Sequence, residues 1–275
     1  MAGLNELGGR TAVVTGGASG IGKGIARRLK AQGMQVVIAD VERAALDRAA
    51  EEIGAAGVLT DVASMDSVQA LAEEVRRRHG NVHLVCNNAG VGSVAPLADM
   101  TESDWDWILG VNLRGVVHGV KAFLPMLLAN PDGGWIVNTA SMAGFSVLPT
   151  LGGYTTSKFA VMGFSETLAA ELQAEGAKVG VSILCPGPVR SNIKASSRNR
   201  PDRLAGGALA DSDLENDEIA ARMRWLDPDE VGDIVIRAVR RGDLYALTHP
   251  EMLPQVIERH RRIEAAFEAA ALQDA

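Results

Sequence analysis

The sequence predicts an α/β protein built on a doubly wound parallel sheet of about seven strands, with helices on both faces. Short runs rich in Val and Ile alternate with amphipathic segments of ten residues or more along most of the 275-residue chain. These runs are continuously apolar rather than alternating, which suits strands buried on both faces. Strands joined by helices of this length form βαβ units, whose right-handed crossovers place helices on both sides of the sheet.

Seven segments have the length and composition of buried strands, and seven have helical periodicity. The predicted strands are 11–15, 34–40, 57–60, 82–86, 135–139, 179–185 and 245–248. The predicted helices are 20–31, 44–53, 65–78, 102–129 (one long helix or two), 155–173, 228–240 and 255–271.

The region 190–227 breaks this alternation, because it is polar and has no clear period. An irregular segment of that length in a compact domain is typical of a substrate lid or a mobile loop. We expect a single domain over residues 1–275, with a substrate loop at about 190–227 and a C-terminal helix at about 255–271.

Composition narrows the function classes. The formal net charge of −7 argues against broad electrostatic binding of nucleic acid. The two cysteines cannot build a disulfide framework and suit a reducing compartment. The N-terminus has no signal-peptide pattern, and no apolar run approaches the roughly 18 residues of a membrane span. We expect a cytoplasmic protein that binds neither nucleic acid nor membrane.

A glycine-rich segment, GGASGIG, follows the first strand and opens the first helix. Glycines allow a tight turn and a close approach of backbone N–H groups to a phosphate, which the helix N-terminus also attracts. A tight turn without a ligand is the alternative, but the strand–turn–helix context favours a nucleotide site. The predicted cofactor-binding residues of this turn are Gly16, Ser19, Gly20, Ile21 and Gly22.

Asp40 ends the second predicted strand. A carboxylate there can accept hydrogen bonds from both ribose hydroxyls and would repel a 2′-phosphate. Alternatively, Asp40 only caps the following helix. Arg43 could counter its charge but lies a turn later, and Ser19 is neutral. We therefore expect NAD rather than NADP.

Tyr154 and Lys158 are four residues apart and so share one face of a helix. A nearby ammonium lowers the pKa of a phenol, and a phenolate is a credible general base for an alcohol proton. Ser141 follows the strand 135–139, at the carboxyl edge where α/β sheets bind ligands. Taken alone, Ser141 is better explained as a loop serine without a role, and only its context favours the site.

Together these motifs resemble the short-chain dehydrogenase/reductase family of single-domain, NAD(P)-dependent enzymes with a Rossmann-type fold. The resemblance covers roughly residues 8 to 190. Its pieces are Thr15-Gly16-x-x-x-Gly20-x-Gly22, Asp61-Val62, Asn87-Asn88-Ala89-Gly90, Asn112, Ser141, Tyr154-x-x-x-Lys158 and Pro186-Gly187.

The resemblance implies four catalytic roles. Tyr154 would be the general base in oxidation and the acid in reduction. Lys158 would lower the pKa of Tyr154 and bind the nicotinamide ribose. Ser141 would hold the substrate oxygen, and Asn112 would fix a water that links Lys158 to solvent.

The resemblance also implies further cofactor contacts and no metal. Asp61 would contact the adenine beside the Val62 backbone, and an Asp at the position of Asp40 usually accompanies NAD. Asn88, Ala89 and Gly90 would line the cleft. Val189 and Ser191, which follow Pro186 and Gly187, would contact the nicotinamide carboxamide. The five histidines, which show no ligand spacing, are His79, His83, His118, His249 and His260.

The expected substrate end is small and apolar, which favours a neutral or aromatic secondary alcohol. Four basic residues in 194–203 could meet an anionic group, or form a solvated face of the lid. The stretches 191–203, 228–233 and 244–249 also resemble the branch that oxidises bulky benzylic alcohols in lignin-derived aryl ethers. The candidate lining residues are Val91, Ser93, Ala143, Phe145, Leu148, Leu151, Gly152, Pro188 and Ile193.

Three functions follow from these patterns. The first is an NAD-dependent secondary-alcohol dehydrogenase, and the second is a carbonyl reductase that uses NADH in the cell. The third is a non-catalytic nucleotide-binding scaffold, because fold alone does not imply function. We also expect a homo-oligomer, a dimer or a tetramer. The C-terminal helix either packs on its own domain or contributes to oligomer contacts.

Overall fold

The computed structural model describes residues 3–211 and 223–271. Within these residues, seven strands form one parallel sheet, as the sequence predicts, and their order is β3-β2-β1-β4-β5-β6-β7. The strands are β1 (Thr11–Thr15), β2 (Gln35–Asp40), β3 (Ala56–Leu59), β4 (Leu84–Asn87), β5 (Gly134–Thr139), β6 (Val179–Cys185) and β7 (Tyr245–Leu247). The strand order reverses between β1 and β4, where such sheets open a ligand crevice at their carboxyl edge.

Helices cover both faces of the sheet. They are α1 (Gly20–Ala31), α2 (Arg43–Ile53), α3 (Met65–His79), α4 (Glu102–Leu109), α5 (Gly115–Ala129), α6 (Gly152–Ala174), α7 (Pro228–Arg241) and α8 (Leu253–Ala271). One apolar core joins the sheet to α1, α2 and α7, and a second joins it to α3, α5 and α6. Val14 of β1 lies in the first core and Val13 in the second, which explains the continuously apolar strands.

Strand β4 lies later than the predicted segment 82–86, because it continues through Asn87. Asn87 pairs in register with Asn138 of β5. Its Nδ2 donates to Asn138 Oδ1 at 2.9 Å, and Asn138 Nδ2 donates to Ser165 Oγ at 3.0 Å. These bonds let polar side chains occupy a buried stretch of the sheet.

The predicted helix 102–129 is two α-helices joined by a π-helical turn, Gly110–Arg114. Single π turns inside α-helices are frequent at functional sites. This turn carries Asn112, which is fully buried.

The predicted substrate loop is only partly irregular. It contains 3₁₀-helical turns at Asn192–Asn199 and Asp202–Leu204. Isolated bridges pair Val189 with Leu226 and Val94 with Ala210, which attach the loop to the domain at both sides. Residues 212–222 of this predicted loop lie outside the described residues.

Helix α8 packs on its own domain only near its start. Val256 packs partly against a small apolar cluster, and the Arg259 guanidinium lies 4.9 Å from the centre of the Phe159 ring. No described residue of α8 is buried, and Phe267 is 76% exposed. Self-packing therefore fails to explain most of this helix. Among the described residues, no helix has the length and apolarity needed to cross a bilayer.

Candidate active site

The glycine-rich turn between β1 and α1 requires glycine at several positions. Gly16 has φ +65°, and a Cβ there would lie 2.8 Å from Ala89 Cα. A Cβ on Gly22 would lie 2.1 Å from the carbonyl oxygen of Gly16. Thr15 Oγ1 accepts hydrogen bonds from the N–H groups of Asn88 and Ala89 at 2.9 and 3.1 Å. The turn is thereby fixed against the end of β4, and the first N–H groups of α1 face the cleft without intrahelical partners.

Asp40 closes the same end of the cleft. Its Oδ2 accepts a hydrogen bond from Ala18 N at 3.0 Å, and its Oδ1 accepts one from Glu42 N at 3.1 Å. Burial raises the pKa of Asp40 above its ordinary 3.8, although these hydrogen bonds oppose the shift. The N-cap of α2 is Glu42, so the alternative that Asp40 caps this helix is wrong. Arg43 lies 3.5 Å from Asp47 along α2.

The cleft continues past β3 and β4. Asp61 is exposed, and its Oδ1 accepts a hydrogen bond from Ala63 N at 2.9 Å. Val62 is buried against Gly115, where a Cβ would come within 2.9 Å of it. Of the predicted cofactor-binding residues of these loops, Gly22 does not line the cavity. The others line one cavity, namely Gly16, Ser19, Gly20, Ile21, Asp40, Asp61, Val62, Asn88, Ala89 and Gly90.

Ser141, Tyr154 and Lys158 lie at the other end of this cavity. The Ser141 side chain lies near enough to the Tyr154 phenol to lower its pKa. Ser141 Oγ also donates to the Pro186 carbonyl at 3.3 Å and accepts from Ala143 N at 3.1 Å. Ser141 is thus held with its hydroxyl beside the phenol, as the predicted role requires.

Lys158 is buried, and its Nζ donates to the Thr139 carbonyl at 3.0 Å. The Nζ atom lies 5.4 Å from the centre of the Tyr154 ring. Burial lowers the pKa of Lys158 from 10.5 to about 8. Among the described residues, no carboxylate forms an ion pair with this lysine.

The expected lowering of the Tyr154 pKa is not found in this structure. Burial raises the pKa of Tyr154 above its ordinary 10, and the nearby Ser141 side chain lowers it less than burial raises it. The reason is physical: the Lys158 ammonium is directed at the Thr139 carbonyl and is itself desolvated. A cation bound in the cleft would act in the direction that the sequence predicts.

Asn112 fastens the π turn to its neighbours. Its Oδ1 accepts from Val91 N at 2.8 Å, and its Nδ2 donates to the Val91 carbonyl and to Ser157 Oγ, both at 3.0 Å. A Cβ on Gly90 would lie 3.3 Å from Asn112 Oδ1 and 3.6 Å from Lys158 Nζ. Asn112 and Lys158 therefore flank the same small space.

The loop after β6 forms the wall next to Ser141. Pro186, Gly187, Val189 and Ser191 line the cavity as predicted. A Cβ on Gly20 would lie 2.8 Å from Ser191 Cβ, so this loop touches the glycine-rich turn.

His249 supports this loop from behind, which the sequence analysis missed. Gly187 N donates to Thr248 Oγ1 at 3.0 Å, and Thr248 Oγ1 lies 2.6 Å from His249 Nδ1. His249 Nε2 lies 2.9 Å from the Arg224 carbonyl. A carbonyl only accepts, so Nε2 donates to Arg224, while Thr248 Oγ1 also contacts the Cys185 carbonyl at 3.4 Å.

The substrate end is lined mostly by apolar side chains, including two indoles, and also by the charged Asp106, Lys194 and Arg203. Ser93, Phe145 and Gly152 do not line it, and Phe145 instead packs against the Tyr245 ring at 6.0 Å. The other predicted lining residues do, together with unpredicted residues from α4, the substrate loop and the start of the C-terminal segment. The predicted set is Val91, Ala143, Leu148, Leu151, Pro188 and Ile193, and the additions include Trp107, Leu204, Met223, Trp225 and Met252.

An ion pair attaches the substrate loop to α4. Arg200 Nη1 lies 2.6 Å from Asp104 Oδ1, with the two side chains 9% and 0% exposed. The guanidinium also lies 5.3 Å from the centre of the Trp107 ring, which lines the cavity. Burial acts to raise the pKa of Asp104, but hydrogen bonds from Thr101, Ala208 and Arg200 hold it well below 3.8.

We predict that Asp104→Asn lowers the free energy of unfolding by about 3 kcal/mol, because it leaves a buried guanidinium without its counter-charge. Urea unfolding of Asp104→Asn beside Glu102→Gln measures this, since Glu102 is an exposed carboxylate on the same helix. Equal stability of the two variants would contradict the prediction. The low pKa of Asp104 also predicts that the difference shrinks as the pH falls below about 4.

Comparison with known proteins assigns the family. Residues 10–202 match the family model described as short chain dehydrogenase. The C alpha-dehydrogenase of Sphingobium sp. is 32% identical over 262 residues, which cover 91% of this chain and 84% of that protein. The chain belongs to the short-chain dehydrogenase family.

Two further matches have different extents. The "Probable oxidoreductase EphD" of Mycobacterium tuberculosis is 35% identical over 264 residues, covering 91% of this chain but only 44% of that protein. This chain therefore spans less than half of that relative's length. A short-chain dehydrogenase/reductase from Burkholderia phymatum, solved in complex with NAD, is 40% identical with a TM-score of 0.90, covering 96% of this chain and 97% of that one.

Within residues 3–211 and 223–271, no group of three or more His, Cys, Asp or Glu side chains is placed to hold a metal ion. Cys86 and Cys185 are both buried and free.

Proposed function

We propose that the protein is an NAD-dependent dehydrogenase of secondary alcohols, which also reduces the corresponding ketones. The observation that carries this proposal is the position of Ser141, Tyr154 and Lys158 in one cavity with the glycine-rich turn and Asp40. An enzyme needs proton-transfer groups beside its nucleotide site. A protein that only binds a nucleotide has no need of such groups.

The residues present fit NAD. The glycine-rich turn and the start of α1 are so tightly packed that a Cβ at Gly16 or Gly22 would clash with the protein. The N-terminus of α1 suits a pyrophosphate. The Asp40 carboxylate suits ribose hydroxyls and opposes a 2′-phosphate. The NAD-bound structure of the Burkholderia phymatum relative supports this choice. When bound, the cofactor supplies the hydride chemistry, and the protein supplies position and electrostatics.

This chain's own residues handle the proton. Tyr154 takes the hydroxyl proton of the alcohol during oxidation and returns it during reduction. Ser141, whose side chain lies near Tyr154, holds the substrate oxygen at the phenol. Lys158 supplies positive charge beside the phenol, and Asn112 holds the π turn at the space next to Lys158. We assign to that space a water that carries protons between Lys158 and solvent.

We propose a bulky or aromatic neutral alcohol as the substrate. Apolar side chains and two indole rings line the substrate end, and aromatic walls favour ring-containing ligands. The C alpha-dehydrogenase relative supports a substrate of the benzylic type.

Incubation with NAD or NADP and a panel of secondary alcohols, followed by nicotinamide absorbance, tests the function. The panel runs from small aliphatic to benzylic and steroidal alcohols. We expect turnover with NAD, fastest on aromatic members. Turnover only with NADP would contradict the role of Asp40, and cofactor binding without any turnover would favour the scaffold.

The raised pKa of Tyr154 predicts a pH dependence with opposite signs in the two directions. Oxidation needs the phenolate, so its kcat/KM should rise with pH up to the pKa of Tyr154, which burial raises above 10. Reduction needs the phenol, so its rate should fall only as the pH approaches this raised pKa. Profiles measured in both directions check this, and an oxidation rate independent of pH would count against Tyr154 as the base.

We further propose a cytoplasmic homo-oligomer with a single catalytic domain per chain. The exposed apolar side chains of α8, which include Ile263 and Phe267, support burial by another subunit. The two free thiols support a reducing compartment. Light scattering after size-exclusion chromatography should give a dimer or a tetramer, and a monomer at micromolar concentration would contradict the assembly.

A further inference from the structure

A carboxylate beside Asp40 is held by the substrate loop. Glu42 Oε1 accepts from Arg198 Nη2 at 2.8 Å, from Arg198 Nε at 3.2 Å and from Asn199 Nδ2 at 2.9 Å. Arg198 Nη1 donates to the Asn192 carbonyl at 3.0 Å and also to the Ala195 carbonyl. We refer to Glu42, Arg198 and Asn199 as the adenosine clasp.

The clasp crosses the cavity. Glu42 is 156 and 157 residues away from Arg198 and Asn199 in sequence, yet all three line the cavity together with Asp40. The loop begins at Ser191 beside Gly20 of the glycine-rich turn and reaches Glu42 at the end of β2. The segment between them therefore covers the half of the cavity that would hold adenosine.

Glu42 is coupled to the ribose-binding carboxylate. Its own backbone N–H donates to Asp40 Oδ1 at 3.1 Å. Although burial opposes it, hydrogen bonds from Asn199 and Arg198 hold the pKa of Glu42 below 4.5. Two carboxylates thus stand at one end of the cavity, and the guanidinium of Arg198 is already engaged by the second one.

We propose that Glu42 is a second determinant, beside Asp40, of selection against a 2′-phosphorylated cofactor. It acts in two ways: its charge repels a 2′-phosphate, and it engages Arg198, which would otherwise be the cation available to that phosphate. This inference rests on the proposed function.

Measurements of cofactor affinity separate the effect of the Glu42 charge from the effect of its pairing with Arg198, and they do not depend on turnover. Fluorescence titration gives the dissociation constants of NADH and NADPH for wild type, Glu42→Gln, Arg198→Met and the double variant. We expect Glu42→Gln to move the NADPH-to-NADH affinity ratio about tenfold towards NADPH. We expect the double variant to lose most of this gain, because the released guanidinium is then absent. Calorimetry with 2′,5′-ADP and 5′-ADP repeats the comparison at the adenosine end alone.

Asp47→Asn is the matched control, because Asp47 is another carboxylate of α2 and lies beside Arg43. It should leave the affinity ratio unchanged. A ratio for Glu42→Gln within twofold of wild type would overturn the proposal. Full retention of the gain in the double variant would overturn the part assigned to Arg198. If wild type binds neither dinucleotide, the proposed function fails as well, which distinguishes the two failures.

Discussion

Replacing Tyr154 with Phe should lower kcat by about 10³-fold, because it removes the proposed general acid/base without emptying its place in the cleft. The ring keeps its packing, so cofactor affinity should stay within a few fold of wild type. Steady-state kinetics and an NADH titration on the same preparation measure both quantities.

The chain supplies a matched control for this variant. Its other tyrosine, Tyr245, donates from its hydroxyl to Glu166 Oε1 at 2.8 Å and does not line the cavity. Tyr245→Phe removes the same atom and should keep kcat near the wild-type value. Equal losses in the two variants would show that Tyr154 has no special part in proton transfer.

Lys158→Met should stabilise the fold while removing most of the activity. The pKa of Lys158 lies at about 8 rather than 10.5 because its ammonium is buried. At 1.36 kcal/mol per pKa unit, this burial costs about 3 kcal/mol at neutral pH. Loss of the hydrogen bond to the Thr139 carbonyl offsets about 1 kcal/mol. We therefore expect a net gain of about 2 kcal/mol in the free energy of unfolding, with kcat lowered by about 10²-fold or more.

The sign of this effect fixes its pH dependence. Between about pH 8 and 10.5 the unfolded chain binds a proton at Lys158 that the folded chain does not, so the cost of burial fades as the pH rises. The advantage of Lys158→Met over wild type should shrink across the same interval.

Lys178→Met is the matched control, because the exposed Lys178 also donates to a backbone carbonyl, that of Pro131. It should change neither stability nor kcat appreciably. Destabilisation by Lys158→Met at pH 7 would contradict the burial argument.

Local features of the site were predictable from the sequence. The strand–turn–helix pattern fixes where the turn glycines and Asp40 lie. In the structure the glycines lie too close to their neighbours to carry a side chain, and Asp40 accepts a hydrogen bond from the turn. The spacing of Tyr154 and Lys158 likewise places both on α6 beside the cavity.

Features that depend on distant parts of the chain were not predictable. Arg200 meets Asp104 and Arg198 meets Glu42 across 96 and 156 residues, and neither pair has a local pattern. The motif from Thr101 to Asp104 signals a helix cap, but it does not reveal the loop arginine. The pKa of Tyr154 depends on burial, which spacing alone does not report. The exposure of α8 was not predictable either, because periodicity reveals an apolar stripe on a helix but not which residues cover that stripe.

The most direct test of the central claim follows a labelled hydrogen. A secondary alcohol that is turned over, deuterated at its carbinol carbon, is incubated with the protein and NAD. Mass spectrometry then locates the label. We predict that deuterium is recovered in NADH and that Tyr154→Phe abolishes this transfer. Recovery of the label in water rather than in NADH would contradict the assignment of the protein as a hydride-transferring alcohol dehydrogenase.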